Sequence, residues 1–253
     1  MKRLLFLLTI LSLTLSAQVM LPSYHGVQAH YATSGSSPIL DWKFGGNDGS
    51  GASATATTPS LNCSGASKLF AVVSNITTTS GVVVTDSTGL NTGANAWTQE
   101  VTGLDGSGTA ALAVWMATPA AGGAVNGMTI TVNGNYPAVI GGCITGYATV
   151  DRYLNAVSGN PASPGSVTPT QDGDLILVPW VTNQVGGTAD ISSPASTFTL
   201  VTWHSTEWDG SGKFAGPGLA YYVQPTAAAI APSVTSTPGT TVQVASFVAL
   251  KHT

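Results

Sequence analysis

The residues best suited to chemistry lie in one short stretch of the chain. His204, Glu207 and Asp209 form the densest group of ionisable side chains in the sequence. One imidazole and two carboxylates are residue types that bind metal ions or transfer protons. A zinc site, however, takes more nitrogen or sulfur ligands than this single His supplies. We therefore predict an exposed polar loop rather than a metal site.

The same stretch contains Trp208, a residue type that commonly contributes to ligand binding. It stands between Glu207 and Asp209 and follows Trp203 closely. An indole in a loop presents a flat apolar face with hydrogen-bond acceptors beside it, which suits a sugar ring. If the protein binds a sugar-like ligand, we predict that Trp208 contributes to the contact, supported by Trp203, Glu207 and Asp209. A purely structural tryptophan would instead be buried.

The sequence contains no recognisable catalytic arrangement. It has no G-x-S-x-G pentapeptide, and no Ser and His stand in a context that indicates a catalytic triad. A glycoside hydrolase needs two facing carboxylates, and any of the eleven acidic residues could form such a pair in space. We predict no catalytic residue and no cofactor, while a pair of carboxylates that the fold brings together stays open.

Asp-Gly-Ser-Gly occurs three times, at 48–51, 105–108 and 209–212. Asp oxygens are suitable calcium ligands, but calcium takes about six to eight oxygens and the alternating acidic residues of calcium loops are missing. Asp and Gly are also favoured in hairpin turns. We therefore predict turns at these three places.

Cys63 and Cys143 are the only two cysteines. In an oxidising compartment they would form a disulfide across 80 positions. The alternative is that Cys143, which lies in an apolar run, is a buried free thiol. These cysteine rules leave both alternatives open.

The elements that must position these residues are β-strands. Charged residues make up only 7% of the chain and hydrophobic residues 43%, with frequent Gly and Pro between short β-branched runs. We predict an all-β, antiparallel, jelly-roll-type sandwich of roughly ten strands. The segment 241–250 is apolar on both faces and should be a central strand. Pro179 should place its strand at an edge or at a bulge, because it lacks a backbone donor.

The chain nearly repeats itself, with pseudo-repeats at about 68–146 and 174–251. Residues 68–75 match 174–181, and residues 96–101 match 197–202, among five matched segments in the same order. The pattern indicates two sequence-related halves. They could form two separate sandwiches or one interleaved sandwich; one sandwich domain over 38–253 is preferred, because it leaves fewer sheet edges to protect.

The first residues are typical of an export signal. Lys2 and Arg3 precede an apolar run from Leu4 to Leu15, which Ser16 and Ala17 follow. This order predicts a signal peptide over 1–17, with a cut after Ala29 as the alternative, then a flexible segment over 18–37 and a secreted or cell-surface location. The apolar run is short for a bilayer, so no stable membrane span is expected after its removal. The net charge then falls from −4 to −6, and the remaining Lys and Arg are widely separated, which excludes nucleic acid as a partner.

The pattern resembles a loosely defined group of exported bacterial and phage jelly-roll proteins. The resemblance is carried by the element Asn62-Cys-Ser-Gly-Ala-Ser-Lys-Leu69, by Val84-Thr-Asp-Ser87 and by Ala96-Trp-Thr98. It implies a secreted or surface-displayed module without established catalytic residues.

Taken together, these observations favour a non-catalytic extracellular structural or adhesive module, associated with a surface or a fibre. Its partner would be a glycan or another cell-surface polymer, or further copies of the same chain. A carbohydrate-binding module that uses exposed aromatic residues is the main alternative, and a secreted hydrolase is the third.

Overall fold

The computed structural model describes residues 37–46, 55–76, 81–87, 95–106, 108, 110–120, 126–182, 188–192, 198–203, 216–237 and 243–253. The predicted signal peptide and nearly all of the N-terminal segment lie outside these ranges. Within them the chain is all-β and its sheets are antiparallel, as predicted. The strands are β1 (Ile39–Gly45), β2 (Thr55–Thr57), β3 (Leu61–Asn62), β4 (Lys68–Ile76), β5 (Val83–Ser87), β6 (Trp97–Leu104), β7 (Ala110–Ala117), β8 (Asn126–Asn133), β9 (Ala138–Ile144), β10 (Tyr147–Gly159), β11 (Leu175–Thr182), β12 (Thr188–Ser192), β13 (Thr199–Trp203), β14 (Gly216–Val223), β15 (Ser233–Thr237) and β16 (Gln243–His252).

These sixteen strands exceed the roughly ten that the sequence predicts. The additional strands are mostly short; β2 has three residues and β3 has two. A run of two or three residues is too short to show the alternation by which a strand is detected in sequence.

Two five-stranded sheets form the centre of the structure. Their strand orders are β1-β9-β4-β7-β6 and β10-β16-β11-β14-β13. Two smaller sheets complete the set: β2-β8-β3 with β5 also paired to β8, and the ribbon β12-β15. All described strand pairings join strands within 39–144 or within 147–252.

Three apolar clusters hold the four sheets together. The central cluster contains side chains from both large sheets, such as Phe70 of β4 and Leu177 of β11. A second cluster joins the first large sheet to its small sheet, and a third joins the second large sheet to the β12-β15 ribbon. Strands such as β9 and β11 are therefore buried on both faces, which explains why they are continuously apolar.

The predicted central position of the last strand is confirmed. β16 lies between β10 and β11, and residues 243–250 are all buried. The prediction for Pro179 is wrong, because β11 is also a central strand, with β16 on one side and β14 on the other. Its ladder to β16 is interrupted at Val178 and Pro179 without a change of register. The missing backbone donor of Pro179 therefore interrupts the β11/β16 ladder over two residues, while β11 still lies inside the sheet.

The same chain path is built twice. β1 and β10 occupy the same edge of their sheets, and β6 and β13 occupy the opposite edge. The β1/β9 ladder skips Leu40, and the β10/β16 ladder skips Asp151 at the matching place. In the same way the β6/β7 ladder skips Glu100, and the β13/β14 ladder skips Val201.

The short outer pairings also match between the halves. Ala56 pairs with Val132 and Leu61 pairs with Met128 in the first half. The second half has single bridges with the same spacing, which join Ala162 to Val234 and Val167 to Ile230. The register therefore allows a residue-by-residue comparison of the two halves.

The two large sheets approach each other closely along the edges formed by β6 and β10. Gly103 lies on β6, and a Cβ atom placed there would overlap the Cβ of Ala156 on β10. The backbone N–H of Gly106 also donates to Ser158 Oγ across this junction (2.7 Å). The absence of a side chain at Gly103 is thus what allows the two edges to meet.

We expect Gly103→Ala to lower the free energy of unfolding by about 1–3 kcal/mol, which is the usual cost of overpacking. Chemical denaturation measures it, with Thr102→Ala, an exposed neighbour on the same strand, as the control. Adding Ala156→Gly to the Gly103→Ala variant should restore part of the loss, because it removes the overlapping atom. An unchanged stability of Gly103→Ala would contradict the close contact.

Candidate functional sites

The stretch predicted to bind a sugar is described only at its first residue. Trp203 is the last residue of β13, an edge strand, and pairs with Gly218 of β14. Glu207, Trp208 and Asp209 lie outside the described residues, as does His204. The prediction of a sugar contact at Trp208 therefore stays a prediction.

One Asp-Gly-Ser-Gly sequence lies in a described connection, between β6 and β7, and forms a turn there. Asp105 Oδ1 accepts a hydrogen bond from the backbone N–H of Ala110 (3.0 Å), and the N–H of Gly108 donates to Asp105 O (2.9 Å). Gly108 has a φ of 68°, in the region that favours glycine. The turn prediction is confirmed at 105–108; the sequences at 48–51 and 209–212 lie outside the described residues.

Cys63 and Cys143 form a disulfide that ties β9 to the segment after β3. Their Cα atoms are 5.7 Å apart, and both residues are fully buried. Asp41 of β1 lies beside this bond and accepts hydrogen bonds from Lys43 Nζ (2.7 Å) and from the backbone N–H of Asn62 (2.8 Å). Burial alone would raise the pKa of Asp41, but these donors hold it below its usual value. The disulfide and Asp41 together fasten β1, β3 and β9.

Among the described residues, the fold brings the carboxyl groups of Asp151 and Asp174 together, and both side chains are buried. Asp174, just before β11, is completely buried, and the Asp151 side chain on β10 is 2% exposed. Asp151 accepts two hydrogen bonds from Thr170, from its backbone N–H and from Oγ1 (both 2.6 Å), and lies 3.4 Å from Lys251 Nζ. The Asp174 carboxyl group accepts no well-formed hydrogen bond; Asp151, Gln171 and the backbone of His252 approach it without reaching that geometry.

The two carboxyl groups of this pair have opposite pKa shifts. Burial and the neighbouring Asp151 raise the pKa of Asp174 to about 6. Burial also acts on Asp151, but the donors of Thr170 and Lys251 outweigh it and lower its pKa. The pKa of the Tyr147 hydroxyl is raised by burial and by the charge of Asp174. Over the pH range between these two pKa values, the pair therefore holds one proton, on Asp174, while Asp151 is ionised.

A group of polar and aromatic side chains lies where β5 meets the outer face of β6 and β7. Trp97 of β6 donates from Nε1 to Asp86 Oδ2 of β5 (2.7 Å). Gln99 follows on the same face of β6 and pairs with Trp115 of β7. All four side chains are half-buried. We call these four residues the tryptophan cluster.

Three polar atoms of the tryptophan cluster are buried without a hydrogen-bond partner: Asp86 Oδ1, Gln99 Nε2 and Trp115 Nε1. An unsatisfied buried polar group costs about 1–3 kcal/mol. Native proteins keep few such groups, and each one calls for an explanation. Here two donors and one acceptor without partners belong to one contiguous group.

The second half of the chain shows what the fold requires at these positions. Gln99 pairs with Trp115 just before the bulge of β6, and Leu200 pairs with Ala220 just before the matching bulge of β13. Phe198 takes the place of Trp97, with its ring 5.7 Å from that of Tyr222. The second half is thus apolar where the first carries indole and amide donors.

The sequence prediction missed the tryptophan cluster, although a signal for it was present. The matched segments 96–101 and 197–202 align Trp97 with Phe198 and Gln99 with Leu200. A polar residue in one copy opposite an apolar residue in the other marks a position that the fold does not constrain. The contact with Asp86 could not be foreseen, because β5 pairs with β8 and its position over β6 depends on sheet packing.

Other kinds of site are not found in the part of the chain that the structure describes. No three His, Cys, Asp or Glu side chains there are arranged to hold a metal ion. These residues also contain no helix of the length and hydropathy needed to cross a membrane. No family model, curated protein or solved structure matches the chain.

Proposed function

We propose that this chain is a non-catalytic extracellular structural or adhesive module, associated with a cell surface or a fibre. The observation that carries the proposal is the buried disulfide between Cys63 and Cys143, because disulfides form and persist in oxidising compartments. The apolar stretch after Lys2 and Arg3 also supports export, because a charged start followed by a short apolar run is typical of a secretory signal.

The geometry of the carboxyl pair supports a non-catalytic role. Asp151 and Asp174 lie close enough for each carboxyl group to shift the pKa of the other, whereas a glycoside hydrolase keeps its two carboxyl groups apart to leave room for the substrate or for water. Both side chains are also closed to solvent, so a substrate has no access to them. This pair is better explained as part of the packing between β10, β11 and β16.

Carbohydrate binding is the second candidate function. The tryptophan cluster favours it, because it contains two half-buried indole rings, and an indole offers a flat apolar surface on which a sugar ring packs. The two candidate functions overlap, because both an adhesive module and a carbohydrate-binding module would bind a surface polymer. They differ mainly in the biological role of that binding.

The proposal is tested by expressing the full chain, with its own N-terminus, in a bacterial host with an oxidising periplasm. We expect the protein to be exported with the two Cys residues bonded, and to remain on isolated cell envelopes after washing. Panels of chromogenic glycosides, esters and peptides should not be hydrolysed. Reduced protein retained in the cytoplasm, or turnover of any of these substrates, would contradict the proposal.

A further inference from the structure

We infer that the outer face of the small sheet formed by β2, β8 and β5 binds the surface of ice crystals. We call it the hydroxyl face; its residues are Thr55, Thr57, Val83, Thr85, Ser87, Thr129, Thr131 and Asn133. This activity goes beyond the proposed function and does not depend on attachment to a cell surface.

Strand register brings the threonines of the hydroxyl face side by side. Thr131 of β8 pairs with Thr57 of β2 on one side and with Thr85 of β5 on the other, so three threonines form one row across three strands. Thr129 and Ser87 form the next row. The alternate residues of these strands are turned inward and pack against the first large sheet: Ala56, Val84, Ile130 and Val132.

The hydroxyl face is open to solvent and carries no charge. Six of its eight side chains are exposed, and the other two, Thr129 and Thr131, are half-buried. None of the eight residues is ionisable, so the face lacks the charges that bind a nucleic acid or a charged polymer. It also has no aromatic ring on which a sugar would stack.

The hydroxyl groups of this face hold one another in place. Thr57 Oγ1 lies 2.9 Å from Thr131 Oγ1, and Ser87 Oγ lies 2.6 Å from Thr129 Oγ1. A hydroxyl has one donor and two acceptor positions, so each pair can still bind water. Because threonine is β-branched and has few rotamers, its methyl group is also fixed. The face is therefore a fixed grid of hydroxyl and methyl groups.

The size of the hydroxyl face argues against a protein partner. Three strands about 4.8 Å apart and five residues at about 3.4 Å each cover roughly 250 Å², whereas a stable protein interface buries about 800 Å² on each partner. Exposed hydroxyls also gain little from a soluble partner, because its hydrogen bonds only replace those to water. Ice avoids this competition, since its surface consists of the water molecules that the hydroxyls already bind.

The spacing of the grid also fits ice. Neighbouring strands lie about 4.8 Å apart, and alternate residues of one strand lie about 6.8 Å apart. Hexagonal ice repeats its oxygen positions at similar distances along its two crystal axes. Water molecules held by the hydroxyl face can therefore occupy positions of the growing crystal layer.

The second half of the chain carries only part of this grid, on the opposite side of the molecule. Ser163 and Ser233 take the places of Thr57 and Thr131, and their Oγ atoms are 3.1 Å apart. Two other threonines of the hydroxyl face have no hydroxyl counterpart there: Thr55 matches Pro161, and Thr129 matches Ala231. The second half therefore keeps a hydroxyl pair without the threonine grid, and it provides a matched control.

The test measures thermal hysteresis, the gap between the melting and freezing temperatures of a single ice crystal, with the purified, disulfide-bonded full chain. We expect a gap that grows with protein concentration, and faceted crystals rather than round discs. Thr131→Lys, at the centre of the grid, should reduce the gap tenfold or more, because a long and strongly hydrated side chain keeps the crystal away from the neighbouring threonines. Thr85→Lys, at an exposed position of β5, should act in the same direction.

Ser233→Lys makes the same change at the matching place in the second half and should leave the gap unchanged. Thermal unfolding checks that the variants are folded; if Thr131→Lys is not, the exposed Thr85→Lys decides. Three results would overturn the inference: no thermal hysteresis in the parent, an equal gap in the parent and the folded lysine variants of the hydroxyl face, or an equal loss in Ser233→Lys. Retention on cell envelopes is measured separately, so the proposed function could still stand.

Discussion

Replacing both Cys63 and Cys143 by Ala is expected to lower the free energy of unfolding by about 4 kcal/mol. The bond closes a loop of 80 residues, and in the chain-entropy model a loop of this length destabilises the unfolded chain by about that amount. The fold itself should survive, because the second half has Ala249 at the position that corresponds to Cys143, where it is buried without a disulfide.

Urea denaturation of the parent and of the double variant, each with and without reductant, measures this effect. Reductant should destabilise the parent toward the stability of the variant and leave the variant unchanged. Thiol titration in denaturant without reductant is a second check, because the bonded parent should show no free thiol. Two reactive thiols in the parent, or equal stability of parent and variant, would show that the two Cys residues are not bonded.

Asp174→Asn is expected to remove most of a pH dependence of stability that centres on the Asp151 and Asp174 pair. The pKa of Asp174 in the folded chain is about 6, above the value of about 3.9 for an unfolded Asp. The folded state therefore holds the proton more tightly, and this stabilisation is complete below the unfolded pKa and is lost as pH rises through about 6. A shift of this size corresponds to about 2–3 kcal/mol.

Asp151 acts in the opposite direction, because its pKa is lowered in the folded chain. Its contribution is present above the pKa of an unfolded Asp and is lost as pH falls through the lower folded value. The pair should therefore stabilise the protein most when it holds one proton, between these limits. Of the groups that face it, Tyr147 comes from β10, and Lys251 and His252 come from β16.

Urea unfolding between pH 4.5 and about 8 tests the Asp174 prediction. The difference between parent and Asp174→Asn isolates the pair, because burial also raises the pKa of Glu100 in both proteins. Asp172→Asn is the control; it lies exposed on the same turn and keeps the oxygen that accepts from the Ala227 N–H (2.6 Å). If Asp174→Asn loses as much stability with rising pH as the parent, the pair does not share a proton.

The strands that the sequence predicted best are those whose pattern is local. In β8, Met128, Ile130 and Val132 alternate with Thr129 and Thr131. The structure buries the first three completely. Alternation of this kind depends only on the two-residue period of a strand, so it can be detected without knowledge of the pairing.

The alignment of the two halves was predicted less well, for a physical reason. The sequence match aligned Lys68 with Asp174, whereas the register aligns Lys68 with Leu175, because these two pair with Ile144 and Leu250 at corresponding places. A shift of one residue moves every side chain of a strand to the other face. In apolar strands buried on both faces, the sequence carries little information on which face is which.

What the sequence by itself determined is what short-range chemistry controls. Strand-forming composition and Gly/Pro punctuation determine an all-β chain, and Asp105 and Gly108 determine a turn. Only the tertiary structure decided what depends on distant residues: the approach of Asp151 to Asp174, and the hydrogen bond from Trp97 to Asp86. These depend on ladder register, bulges and the packing of one sheet on another, which no short stretch of sequence specifies alone.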